Sequence, residues 1–182
     1  MVEVAIRTAT CDDAGAIGAL HADSWRRNYR GAYSDEFLDG DVLADRETVW
    51  SERLNRDSGG TATFVAQAAG STDLAGFAHL AFDADPKWGC LLDNLHVAHG
   101  LKRSGIGTRL IAEAASQALR HHQLLHLYVL EQNTNARAFY QARGGRFVEA
   151  SFVSAPGGLA SRLNGSPRGH LYVWDDPSIL LS

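Results

Sequence analysis

The segment running from Leu91 to about His121 constrains this chain more than any other. An apolar, strand-like run, Leu91–Val97, leads into two basic residues, Lys102 and Arg103, then into Gly105-Ile106-Gly107. An amphipathic helix follows, with Ile106, Leu110, Ile111, Ala114, Ala115, Ala118 and Leu119 recurring at helical spacing. A strand, a glycine turn and a helix in that order commit the chain to a sheet crossed by at least one helix. The same order builds an anion site. Glycines let the backbone approach a ligand closely, and the first N–H groups of a helix have no partner within it. Those free donors and the positive end of the helix favour phosphate oxygens, to which Lys102 and Arg103 add charge.

Length and composition narrow the partners. With 182 residues, the chain is read as one domain over 1–182, with a sizeable core. Hydrophobic content of 45% and charged content of 21% are those of an ordinary globular protein. A net charge of −4 and a pI near 6.0 argue against a nucleic-acid binder. Cys11 and Cys90 have neither metal spacing nor a disulfide framework, which fits reduced thiols. The eight histidines show no metal-ligand set that includes acids, so no metal site is expected. No stretch reaches the roughly 18 apolar residues of a membrane span, and the first residues do not read as a signal peptide. A cytoplasmic location is the expectation.

Along the chain, Val2–Arg7 reads as a strand, and Thr10 with Asp12 and Asp13 as a helix start. That helix carries Ile17, Leu20 and Trp25; Ser34–Leu38 is a helical turn, and Val42–Leu54 a helix using Leu43, Val49, Trp50 and Leu54. Asp57–Gly60 is a turn, and strands are expected at 61–68, 74–82 and 88–97, joined as hairpins. A strand at 124–130, a helix at 133–143, a strand to about Phe152 and a last strand at 169–174 follow. The Gly- and Pro-rich stretch Ala155–Arg168 is the one segment expected to be mobile.

Gly105-x-Gly107 alone is a weak signal. A Rossmann site would need a third glycine where Leu110 stands, and the P-loop string is absent. A second constellation sits one strand later: Asn133-x-x-Ala136-x-x-x-Tyr140, then Gly144-Gly145-Arg146-Phe147. On a helix, Asn133, Ala136 or Arg137, and Tyr140 share one stripe. Two adjacent strands splaying beside it would open a slot for an elongated ligand. Helix capping by Asn133 and packing of a half-buried Tyr140 would account for the same residues.

Taken together, the two motifs resemble those of the GNAT superfamily of acyl-CoA-dependent N-acyltransferases. The likeness rests on Val97 and Lys102–Gly107, then on Asn133, Ala136, Tyr140, Gly145 and Phe147, in the family's order over nearly the whole chain. Lys102 departs from the usual Arg or Gln, and Gly-Gly-Arg-Phe from a tighter Gly-Phe, which lengthens the turn by one residue. The resemblance implies an α+β fold with a mixed, mostly antiparallel sheet of about seven strands flanked by helices. It implies acetyl-CoA as cosubstrate, its pyrophosphate on the N–H groups of Arg103, Ser104, Gly105, Ile106, Gly107 and Thr108. Pantetheine would lie along Leu95, His96 and Val97, with Lys102, Asn133, Arg137 and Tyr140 completing the donor site.

The implied activity is transfer of an acetyl group to a primary amine by direct attack, with Tyr140 as general acid to the leaving thiolate. An alkyl amine has a pKa of about 10, so its proton must be taken. Asp93 is ranked first among Asp93, His96 and Glu131 as base, and a base acting through ordered water is an equal alternative. In a regular strand Asp93 shares a face with Leu91 and Leu95; the bulge common in this family would scramble that parity. Trp25 and Tyr29, in a Ser-Trp-Arg-x-x-Tyr-x-Gly stretch, are expected to flank the acceptor; Asp35 and Glu36 would attract a cationic amine, but a solvated helix start explains them equally well. Their aromatic rings favour a small-molecule acceptor. Pairing of an edge strand or the C-terminal strand would give a homodimer. The competing class is a non-catalytic acyl-CoA-binding or sensing module that keeps the phosphate cradle. A nucleotide-dependent oxidoreductase is disfavoured by the missing glycines.

Overall fold

The computed structural model of the chain describes residues 4–56, 59–68, 70–71 and 73–182. Val2 and Glu3 of the expected first strand, Asp57 and Ser58 of the turn, and Ala69 and Thr72 of the next connection lie outside the described residues. Seven strands form one sheet: β1 (Val4–Thr8), β2 (Thr61–Ala68), β3 (Leu74–Asp85), β4 (Gly89–Val97), β5 (Leu125–Leu130), β6 (Arg146–Phe152) and β7 (Arg168–Trp174). Their order is β1-β2-β3-β4-β5-β7-β6, and every neighbouring pair is antiparallel except β4–β5. The helices are α1 (Ala14–Asn28), α2 (Asp35–Asp39), α3 (Val42–Asn55), α4 (Ile106–Arg120) and α5 (Thr134–Ala142). This is the α+β, mostly antiparallel architecture that the resemblance implied. No helix among the described residues is long and apolar enough to cross a membrane.

The parallel pair exists because α4 carries the chain from the end of β4 back to the start of β5. Its apolar stripe, including Ile106, Leu110, Ile111, Ala114 and Ala118, packs on one sheet face against Phe64, Ala78, Leu80 and Leu92. The other face is covered by α1 and α3, where Ile17 and Trp50 meet Val65 and Phe77. In α3 the buried positions are Val42, Arg46 and Trp50, whereas Leu43, expected in the core, is exposed. An arginine thus occupies an inward position that a purely apolar reading of the helix passes over.

The helix start expected at Thr10 is present: residues 11–13 form a 3-10 turn leading into α1, where the Thr10 N–H donates to Asp13 Oδ2 at 2.7 Å and Arg7 clamps the same carboxylate. Two further expectations change. The Ala155–Arg168 segment is tied down rather than loose. The Ser34 N–H donates to the Arg162 carbonyl at 2.9 Å, and Asn164 N–H to that of Ala32 at 2.9 Å. The C-terminal strand β7 has neighbours on both sides, so it cannot pair across a dimer; the sheet edges are β1 and β6.

Candidate active site

The site begins where β4 leaves its parallel partner. β4 and β5 pair only at Cys90–Leu125 and Leu91–His126, and beyond those residues the strands part. On the other side of β4, His79 faces Asn94 while the next residue, Leu80, faces Leu92. Asp93 is therefore the extra residue of a β-bulge. The bulge switches the parity of the strand: Cys90 and Leu92 face the α4 core before it, Leu95 and Val97 after it. Asp93 and His96 both end up on the α1–α3 side, where Asp93 meets Arg53 at 2.8 Å and His96 meets Ser24 at 2.7 Å. Strict alternation would separate those two side chains.

The same strand presents its backbone to the gap. The Ala98 N–H donates to the Ala75 carbonyl on β3 at 2.9 Å, so alternation turns the Val97 N–H away from β3 and toward the slot. Downstream, residues 99–101 form one 3-10 turn, and Arg103 and Gly105 adopt left-handed φ of 65° and 86° before α4 starts. Gly105 suits a φ that costs any side chain with a Cβ. Successive left-handed and helical residues aim their N–H groups into one concavity, the geometry of an anion nest.

A cavity of about 610 Å³ occupies this splay, and it is lined on one side by Leu95, His96, Val97, Lys102, Arg103, Gly105, Gly107 and Thr108. Asn133, Ala136, Phe139, Tyr140 and Arg143 of the α5 region form the opposite wall. Asn133 caps α5, its side chain accepting from the Ala136 N–H at 3.2 Å, while also facing the cavity. Ala136 rather than Arg137 faces the slot; Arg137 donates to the Glu131 carbonyl at 2.8 Å and is not among the lining residues. Ser104 and Ile106 are also absent from the lining. Ser104 Oγ donates to the Leu101 carbonyl and the Ile106 side chain enters the core, leaving both to act through backbone alone.

Arg143, which carries no motif of its own, donates to Thr108 Oγ1 at 2.7 Å and ties the end of α5 to the first turn of α4. The double glycine that follows performs two distinct tasks. Gly144 ends the helix with φ 79°, and a Cβ on Gly145 would lie 2.8 Å from the Trp174 ring.

A second cavity, of about 650 Å³, lies on the α1–α3 side of the bulge. Trp25, Tyr29, Tyr33, Arg46, Arg53 and Phe152 are among its walls. Trp25 and Tyr29 stack, with ring centroids 5.3 Å apart, as their four-residue spacing on α1 allows. The two cavities share Tyr29, Leu92, Asp93, Asn94, His96, Tyr128 and Val129. Asp35 and Glu36 are exposed and line neither, and Asp35 is paired with Arg30. Glu131 is likewise outside both, 3.3 Å from His170.

Burial sets the protonation states. Desolvation holds His21 well below the usual imidazole range, with nearby His96 and Arg46 adding to it. His79 and His96 fall to about 4 for the same first reason. These imidazoles are neutral near pH 7, and His21 Nδ1 accepts from the Trp50 indole at 2.9 Å. Burial also raises the phenols of Tyr140 and Tyr29, so both remain protonated. Tyr140 is 8% exposed, and its hydroxyl makes no hydrogen bond among the described residues. The Tyr140 phenol is thus desolvated, protonated and on the wall of the cavity beside the glycine loop.

Comparison with known proteins gives one consistent picture. The model of the acetyltransferase (GNAT) family matches residues 20–145. A probable N-acetyltransferase of Mycobacterium tuberculosis is 28% identical over 158 residues, covering 84% of this chain and 86% of that protein. An uncharacterized N-acetyltransferase of Bacillus subtilis is 29% identical over 142 residues, covering 76% and 78%. Among solved structures, the PaiA N-acetyltransferase of Thermoplasma acidophilum, in complex with coenzyme A, is similar in fold. Its TM-score is 0.71 at 20% identity, over 94% of this chain and 99% of that one.

Proposed function

The chain belongs to the acetyltransferase (GNAT) family, and from that premise we propose that it transfers an acetyl group from acetyl-CoA to a primary amine by direct attack. One observation carries the reading: two cavities meet at the bulge of β4, one walled by the glycine loop and Tyr140, the other by aromatic residues. A thioester reaching the bulge from one side can be met by an amine from the other.

The donor-side residues fit such a cosubstrate. Lys102, Arg103 and Arg143 line the glycine-loop cavity together with Gly105, Gly107 and Thr108 at the start of α4, and Asp93 is the one carboxylate among its lining residues. Pyrophosphate would be held by the N–H groups from Arg103 to Thr108, and a pantetheine chain by the strand edge at Leu95–Val97. When bound, acetyl-CoA supplies an activated acyl group and a thiolate leaving group. The Val97 N–H, turned toward the slot, is the preorganised donor for the oxyanion that develops as the amine attacks. Tyr140 gives its proton to the departing sulfur. Asp93 takes the amine proton, directly or through one water, and its ion pair with Arg53 holds the carboxylate in place.

Acetyl-CoA turnover across a panel of primary amines, read as thiol release and as N-acetyl product, tests the reading. Amine-dependent release supports it. Tight CoA binding with no turnover on any amine would assign the chain to the sensing class.

A further inference from the structure

We propose that the acceptor amine also carries a carboxylate, which Arg46 binds in the cavity on the α1–α3 side. This deepens the transferase reading and rests on it for the word acceptor, though the anion site itself does not. The charges that line this cavity are Arg46, Arg53 and Asp93. Arg53 and Asp93 neutralise one another at 2.8 Å. Arg46 pairs with Asp45, but the same carboxylate also takes Arg162 Nη1 at 2.6 Å, so one anion stands between two guanidinium groups. The neighbouring imidazoles His21 and His96 are neutral. One positive charge is left over, and it sits on the wall of the cavity.

The geometry of Arg46 points that charge at a ligand. Its side chain is 8% exposed, and Nε and Nη2 both donate to Asp45 Oδ2. No hydrogen bond of Nη1 is found among the described residues. The guanidinium lies over the Trp25 ring, 4.2 Å from its centroid, which fixes its plane and strips water from one face. Nη1 is not among the buried atoms without a partner and Arg46 lines the cavity, so this donor is open to it, where a carboxylate would accept charge-assisted hydrogen bonds. A single surplus positive charge matches a monoanion better than a phosphate, which carries about two negative charges at pH 7.

The bulge of β4, in the wall of the same cavity, has the complementary chemistry. Asn94 is 8% exposed and its Oδ1 is buried without a hydrogen-bond partner, next in sequence to Asp93 at the bulge. Asn94 and Asp93 offer acceptors for an amine, and Arg46 offers donors for an acid. An amino acid has both groups.

The direct test is calorimetric titration of the CoA-bound protein with N-acetyl amino acids, aromatic, aliphatic and polar, each against its matched amide. At least one acid should bind tenfold or more tightly than its amide. Arg46→Gln should erase that difference, and Arg46→Lys, which keeps the charge but not the fork, should retain part of it. Circular dichroism establishes that both variants fold, and the wild-type comparison needs neither. Equal affinity of every acid and its amide for the wild-type protein would overturn the proposal. Thiol release is read separately. Neutral amines acetylated as well as amino acids would remove this inference and leave the transferase standing. Acid-selective binding without turnover of any amine would support the anion site and remove the transferase.

Discussion

Replacing Tyr140 by phenylalanine separates chemistry from binding and from stability in one variant. The side chain is buried among Phe139, Tyr172 and Trp174, with ring centroids 5.4, 6.3 and 6.1 Å away. Its hydroxyl makes no hydrogen bond among the described residues, so the substitution breaks none and keeps the apolar packing. Stability should therefore move by no more than about 0.5 kcal/mol. Coenzyme A affinity should be nearly unchanged, because the cradle is made by backbone and by Lys102, Arg103 and Arg143.

The rate should fall at least tenfold, and up to the 10²–10⁴ range of acid–base groups, about 3–5.5 kcal/mol of barrier at 1.36 kcal/mol per decade. The pH dependence supplies an internal check. Burial raises the Tyr140 phenol above its ordinary value of about 10, so its acidic form persists and the wild-type rate should show no loss from this group up to pH 10. Single-turnover thiol release is the assay, since product release would mask a change in the chemical step. Unchanged single-turnover rates in Tyr140→Phe would refute the proton-donor role outright.

Three other perturbations follow from the geometry. Gly105→Ala finds open space for its Cβ but must hold φ near 86°, a cost of about 1–2 kcal/mol; coenzyme A affinity measured by calorimetry should drop roughly tenfold. Asp45→Ala leaves Arg46 buried and removes the shared partner of Arg46 and Arg162. Urea denaturation should show a loss of about 3 kcal/mol, the lower end for breaking a buried pair. His79 and His96 titrate near 4 when folded and near 6.5 when unfolded, so the unfolded chain binds more protons between those values. Stability should be full above pH 6.5 and decline as pH falls toward 4, seen as a falling Tm across that window.

The donor half of the site was legible because its chemistry is written in local order. A strand, two basic residues, a left-handed glycine and an amphipathic helix are contiguous, and the structure places them as the pattern predicts. Asn133 and Tyr140 reach the same cavity because a short strand and a helix start are also local features. The aromatic cavity is assembled from distant segments, and of its walls only Trp25 and Tyr29, four apart on one helix, were legible in the sequence. Arg46 sits on α3 in the middle of the charged run Asp45-Arg46-Glu47, which reads as a solvated face; the packing of α3 on α1 shows that it points inward. Arg137 and Ala136 are adjacent on one stripe, and the direction of α5 relative to β5 decides between them. Arg143 follows the last turn of α5, where a cation is explained by the helix dipole alone. The bulge at Asp93 breaks the two-residue period on which any face assignment in β4 depends, so the partners of Asp93 and His96 required the strand register itself.

The central claim is that a thioester and an amine meet at the bulge of β4. Its most direct measurement is product formation from acetyl-CoA across a panel of primary amines, with thiol release and N-acetyl product counted in the same reaction. The account predicts that at least one amine gives equal amounts of free thiol and N-acetyl product, at a rate lost in Tyr140→Phe. Saturable coenzyme A binding with no N-acetyl product from any amine would contradict it.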